Sequence, residues 1–325
     1  MTEQQVETPL SATDRNPMIE RLLLAGIVES RRARRWRIFF RLAWLLLIAA
    51  VLLVAAFLGG GLSKGGGGYG KHTALIEVRG MIGGEGDGSA DAITDSLRAA
   101  FEDPNTAGVL IRINSPGGSP VQAGIVYHEI RRLRAKHPNI PVHAVVEEVC
   151  ASGGYYVAAA ADRIYVDRAS LVGSIGVLLD GFGFVDAMKK LGVERRLMTA
   201  GENKAFLDGF SPLSERHREH AQTLLDEIHR QFIEAVKNGR GERIADRPEL
   251  FSGLVWTGAR SVELGLADAL GTVHDVARDV IGVERIVDFS RREALADKIA
   301  RRLGSEGARA LAEILSGGLT QPSLR

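Results

Sequence analysis

From Thr73 onward, apolar positions fall into short and long runs that alternate along the chain. The short runs are "TALIEVRG" (73–80), "AGVLIRIN" (107–114), "IPVHAVVEEV" (140–149) and "DRIYVD" (162–167), and they read as strands. The run at 107–114 is almost continuously apolar, as in a parallel sheet covered on both faces. Between the strands lie helical patterns. "ADAITDSLRAAFED" (90–103) is amphipathic and stops before Pro104. "VQAGIVYHEIRRLRAKH" (121–137) carries Val121, Ile125, Ile130 and Leu133 on or near one face, and "SGGYYVAAAA" (152–161) starts a third helix. A long helix is predicted within 211–239, with Ser214 as N-cap and Gly239 following its end. Its apolar face is Ala221, Leu224, Leu225, Ile228 and Phe232. Strands alternating with helices predict an α/β fold with parallel βαβ units.

The N-terminal part has a different pattern. Residues 31–41 read "RRARRWRIFFR" with six arginines, and the uncharged run "LAWLLLIAAVLLVAAFL" follows at 42–58. Counted from Ile38 it spans 21 residues, broken only by Arg41. About 20 apolar residues cross a bilayer, so 37–58 is expected to be a transmembrane helix. The arginine block places 1–36 in the cytoplasm and the rest outside. A cleaved signal peptide is the rival reading, but the run is long for one and begins late. A buried core helix would not be apolar on all faces. Residues 59–71 are a glycine-rich linker. It holds "GGGGYGKH", which imitates the start of a phosphate-binding loop but has His72 where Ser or Thr belongs and no preceding strand. The remaining divisions are a catalytic domain at 72–285 and a C-terminal helical tail at 286–325.

Composition narrows the options. The 325 residues are 45% hydrophobic and 25% charged, with a formal net charge of +1, which gives no support for nucleic-acid binding. The lone Cys150 permits no intrachain disulfide and reads as a small buried strand residue. The eight histidines show no H-E-x-x-H pattern, so neither a zinc site nor any other cofactor is expected. His143 lies within a strand and reads as structural.

Two glycine-rich turns, "NSPGGS" (114–119) and "ASGG" (151–154), each join an apolar strand to a helix. Ligands gather where strands of an open sheet end and helices begin, because the first helical N–H groups are unpaired and carry partial positive charge. Paired turns of this kind suit an oxyanion hole, from the N–H of Gly117 or Gly118 and that of Gly153. Ser152, at the head of the second turn, is the candidate nucleophile. Its base is not evident, since no G-x-S-x-G elbow and no obvious histidine partner is present.

"RINSPGGS", "ASGGYYVA", "LVGSIGV" and "VWTGARSVELGLADALG", in this order behind one N-terminal span, resemble the bacterial signal peptide peptidase A family of the serine–lysine type. The resemblance covers roughly residues 72–275. It implies a Clp-protease/crotonase-like fold of repeated ββα units, and a serine endopeptidase that clears signal-peptide remnants and other unfolded apolar peptides. It implies Ser152 as nucleophile, Lys204 as general base, Ser174 as the serine that orients the lysine, no metal, and a ring-like homo-oligomer at the membrane with its catalytic domain extracytoplasmic. A lysine is a base only when neutral. Bringing a free lysine from about 10.4 to the useful range of about 7–8 needs roughly 3–4 kcal/mol from its surroundings. Ala205, Phe206 and Leu207 give Lys204 an apolar context for burial, provided Glu202 and Asp208 point away. Lys189 and Lys190 compete for the role but read as a solvated helix face. The alternatives are crotonase-type chemistry on a thioester, a catalytically dead scaffold, and a membrane serine–lysine protease acting on stomatin-like partners.

Overall fold

The computed structural model describes residues 35–36, 38–50, 70–84 and 86–291. The chain divides into two compact units, Met1–Ser63 and Lys64–Arg325. In the first, residues 38–50 are helical, and their apolar side chains are exposed, Leu46 at 71% and Trp44 at 64%. Among the described residues no helix is long and apolar enough to cross a membrane. Most of the expected cytoplasmic tail, the second half of the apolar run, almost all of the linker and residues 292–325 lie outside the described residues.

The second unit is a mixed α/β fold on a parallel-rich, eight-stranded sheet. Its long strands are β1 (His72–Ile82), β2 (Thr106–Gly118) and β3 (Val142–Ala151). The short ones are β4 (Arg163–Val166), β5 (Leu171–Gly173), β6 (Val255–Thr257), β7 (Ala269–Leu270) and β8 (Ile286–Asp288). The order is β6-β5-β3-β2-β1-β8, with β4 bridging β3 to β7. Every pairing is parallel except β5 with β6. The sheet runs past the expected boundary at 285, because β8 pairs with β1. The start of the expected helical tail is therefore a strand.

The helices are α1 (Ala90–Glu102), α2 (Pro120–Lys136), α3 (Gly153–Ala158), α4 (Val185–Lys190), α5 (Glu215–Arg240), α6 (Gly258–Glu263) and α7 (Val273–Asp275). Ser89, Ser119 and Ser214 cap α1, α2 and α5, their hydroxyls accepting from N–H groups three residues on. Strand alternation divides the core. Ala74, Ile76 and Val78, with Val109, Ile111 and Ile113, join the core containing α1, α2, α3 and the C-terminal half of α5. Leu75, Leu110 and Val145 on the other face pack with Tyr165 and with Val276 and Ala277 of a π-helical turn. Beyond them Arg112 bridges Glu77 and Glu147, a charged ladder across three strands.

Two expectations change at α5. Ser214 is its N-cap, but Gly239 lies inside the helix rather than beyond it. A Cβ at 239 would collide with the carbonyl oxygen of Ala159, so this glycine lets α5 approach the end of α3. Gly241, with φ 57, ends the helix instead. The apolar run at 152–161 gives only the six-residue α3, because Ala159–Ala161 turn the buried chain toward β4.

Candidate active site

Ser152 connects β3 to α3 in a sharp turn, with φ 51 and ψ −122. This conformation is unusual for a non-glycine residue, and such residues concentrate at functional sites. Flanking bonds hold it. The Ser152 N–H donates to Gly173 O at 2.8 Å, and its carbonyl accepts from Tyr156 N–H at 3.0 Å. Behind it α3 is locked in the core, where the Tyr155 hydroxyl donates to Leu266 O at 2.8 Å. The end of β2 closes on this turn. Gly117 has φ 110, and a Cβ there would lie 2.6 Å from Ser152 Cβ and 2.9 Å from Gly153 N. Only glycine permits both that conformation and that approach.

The structure brings Ser152, Ser174, Gly118 and Gly153 together around one cleft of about 710 Å³. Gly117 is turned to another use, since its N–H donates to the buried hydroxyl of Ser115 at 3.1 Å. Ser174 follows β5 as Ser152 follows β3, also with φ 51, and its N–H donates to Leu254 O at 2.7 Å. The walls are mainly apolar, with Met81, Val121, Leu178, Tyr156, Ile228 and Phe232. Tyr156 stacks on Phe232 with centroids 4.9 Å apart, and burial pushes its phenol pKa up. The long helix thus supplies a wall of the cleft, which sequence reading missed. The only signal was that Ile228, Gln231 and Phe232 recur at helical spacing.

Among the described residues no charged side chain lines this cleft. Lys204 is not among its lining residues, and it is exposed rather than buried as expected. It sits in a succession of turns at 201–207, with its N–H donating to Gly201 O at 3.1 Å. Its acidic neighbours are engaged elsewhere, Glu202 with Arg216 and Asp208 with Arg195 and Ser211. Lys189 and Lys190 close α4, a helix with no buried residue.

The other titratable groups near β3 serve the core. Cys150 is buried, and burial pushes its thiol pKa up. His143 packs edge-on against Tyr165, and burial holds its imidazole below the ordinary value. His229 Nε2 donates to Ile175 O at 3.1 Å, which ties α5 to the segment after Ser174. His217 and His220 do stand three apart, a spacing that metal sites use, yet both rings flank Phe206. Among the described residues no three His, Cys, Asp or Glu side chains converge on a common point.

Comparison with known proteins agrees with this geometry. Residues 134–281 match peptidase family S49. The Synechocystis sp. protein named "Putative protease slr0021" is 33% identical over 205 residues, 63% of this chain and 72% of that protein. Protease 4 of Haemophilus influenzae is 31% identical over 228 residues, 69% of this chain and 36% of that one. A Brucella melitensis protein named Na(+)/H(+) antiporter NhaA is 48% identical over 186 residues, 57% of this chain. The match spans only 25% of that antiporter's length. With its serine turn, its glycine-lined cleft and this similarity, the chain belongs to the SppA-like serine peptidases of family S49.

Proposed function

We propose that this protein is a membrane-anchored endopeptidase that uses a Ser152/Lys204 dyad to cut signal-peptide remnants and other unfolded apolar peptides. One observation carries the reading. Ser152 is held in a strained turn at the head of a buried helix, and it opens into an apolar cleft without charged side chains. Such a cleft favours extended apolar peptides. Ser152 attacks the scissile carbonyl as Lys204 removes its proton, and the N–H groups of Gly118 and Gly153 stabilise the oxyanion. The lysine returns that proton to the leaving amine. Water then hydrolyses the acyl-enzyme with the lysine again as base. Ser174, which leaves the strand beside that of Ser152, orients the lysine amine. The strand–serine–turn unit occurs at β3 and again at β5, which supports a Clp-protease/crotonase-like architecture of repeated units.

Lys204 reaches the nucleophile of a neighbouring copy in this reading. Two features support it: among the described residues no lysine lines the cleft, and the segment between β5 and α5 is rich in exposed apolar residues. Leu178 is 82% exposed, Phe182 77%, Leu191 77% and Met198 94%. Packing this segment against a second subunit gives a ring-like homo-oligomer and takes Lys204 out of water, which favours its neutral form. The exposed apolar helix at 38–50, behind an arginine block, supports an N-terminal anchor with the catalytic unit on the extracytoplasmic side. Crotonase-type thioester chemistry fits less well, because among the described residues no carboxylate lines the cleft.

Subunit mixing tests both the dyad and its placement. Ser152→Ala and Lys204→Ala should each abolish casein cleavage, and co-assembly of the two variants should restore part of it. Full activity in Lys204→Ala alone would remove the dyad. Two inactive parents that stay inactive when co-assembled would remove the placement across subunits.

A further inference from the structure

The turn carrying Lys204 is gripped on both sides by the start of α5. Two residues before the lysine, Glu202 pairs with Arg216 in the first turn of α5. One residue before it, Asn203 Oδ1 lies 3.4 Å from His217 Nε2. Two residues after it, Phe206 sits between two histidine rings, 5.4 Å from His217 and 5.4 Å from His220, inclined at 71° and 68°. Arg216, His217 and His220 occupy adjacent positions on one helical surface, because residues three and four apart are neighbours there.

Phe206 and His217 are the half-buried members of this grip, and the residue after Phe206 shows why an anchor is needed. Leu207 has φ 54, a left-handed conformation without a glycine. A turn with such a residue relaxes unless its surroundings hold it. On the far side Asp208 closes the turn, accepting from Ser211 Oγ at 2.6 Å and pairing with Arg195. The backbone at Lys204 is therefore fixed from both ends, and only its flexible side chain remains free to move. The opposite end of α5 is fixed in the core by the buried Arg240, whose guanidinium donates to Asp268 at 2.7 Å and to Gly265 O at 2.9 Å.

We propose that Phe206, clasped between His217 and His220, is a positioning residue that sets where Lys204 is presented. This rests on the reading of Lys204 as general base. A base displaced by about 1 Å can lose roughly 10²-fold in rate, whereas peptide binding in a cleft that Phe206 does not line is untouched. The experiment compares full-length Phe206→Ala, Phe206→Tyr, His220→Ala and Lys204→Ala by kcat and KM on a fluorogenic apolar peptide. Each is also followed by the pH dependence of Ser152 labelling with a fluorophosphonate. Phe206→Ala should lose at least ten-fold in kcat with KM within two-fold, and its labelling profile should shift along the pH axis. Phe206→Tyr should keep the parental values. If Phe206→Ala does not fold, His220→Ala decides, and a fall in its kcat at unchanged KM is expected. Parental kcat and profile in whichever variant decides overturn the positioning role, as does a loss confined to KM. An active Lys204→Ala overturns the dyad itself and the positioning role with it. An inactive Lys204→Ala beside a fully active Phe206→Ala overturns the positioning role alone.

Discussion

Ser152 and Ser174 leave neighbouring parallel strands in step. Ala151 pairs with Gly173 across β3 and β5, and the serine after each adopts φ 51. The same hydrogen-bonded edge holds both, since the Ser152 N–H donates to the carbonyl of Gly173. Register alone thus places two hydroxyls beside one cleft.

This geometry predicts different outcomes at the two serines. Ser174→Ala should fold normally and lose about 10²-fold in kcat, the order expected when a reacting group is misplaced. At 152 the conformation itself is costly, by about 1–3 kcal/mol for a non-glycine residue. Ser152→Gly should therefore be more stable than Ser152→Ala by about 1 kcal/mol, although both are inactive. Thermal melts of the two variants check this, and equal melting temperatures would remove the strain at residue 152.

Two glycines within helices should respond in opposite directions. Gly239→Ala drives a methyl into the Ala159 carbonyl and should cost about 1–3 kcal/mol through overpacking. Gly124 in α2 has nothing within 4 Å of a Cβ, so Gly124→Ala should gain up to about 1 kcal/mol from helix propensity. Chemical denaturation of both variants measures the contrast.

Arg240 is 1% exposed, and its partner Asp268 also accepts from Ile164 N–H at 2.7 Å and from Arg243 at 3.0 Å. Removing one member of a buried pair leaves the other charge uncompensated. Asp268→Ala should cost about 3–5 kcal/mol by equilibrium unfolding. A loss below about 1 kcal/mol would show that water reaches the guanidinium.

The sequence periodicity reached the central layer and the turn that carries Ser152 but stopped short of the cleft wall. β1 to β3 and the helices between them follow from apolar runs and serine caps, which are local signals. Ser152 stood out as a candidate because two glycine-rich turns, one headed by a serine, each join an apolar strand to a helix; either turn alone would read as an ordinary β–α connection. The short strands β5 to β8 were not read, since each is two or three residues long and exists only through its partners. Gly239 looked like a helix end because the sequence shows a glycine but not the Ala159 carbonyl facing it. The role of Gly117 was misplaced for a similar reason. Its N–H is claimed by Ser115 two residues earlier, a bond that depends on the path of β2. The burial expected of Lys204 came from the family resemblance rather than from its neighbours; Phe206 packs against two histidines and the lysine lies in solvent.

Two buried groups predict how stability follows pH. Burial holds His143 below its ordinary value, with Asp162 pulling the other way. Its neutral form belongs to the fold, so this stability is present above the unfolded value of about 6.5 and is lost as pH falls below it. The Arg132 hydrogen bond, with help from Arg98, holds Glu129 at about 2, against an ordinary 4.5. Its contribution is complete above pH 4.5 and disappears as pH falls through about 2. Melting temperatures from pH 8 to 3 should fall between about pH 7 and 5, less steeply in His143→Phe. Glu129→Gln should be less stable than the parent at neutral pH, with the gap narrowing in acid. A constant gap would assign Glu129 a packing role.

The anchoring of α5 also bears on how this peptidase could diversify. Its C-terminal end is bolted down by Arg240 and by the contact that Gly239 permits, while Ile228 and Phe232, about two to three turns earlier, face the cleft. Ser152 belongs to a separate segment, fixed by β3, β5 and the core around α3. In the proposed mechanism, selectivity and chemistry are therefore carried on different parts of the chain. Exchanging side chains along one turn of α5 would then be a route to new peptide preferences that leaves the turn carrying Ser152 unaltered.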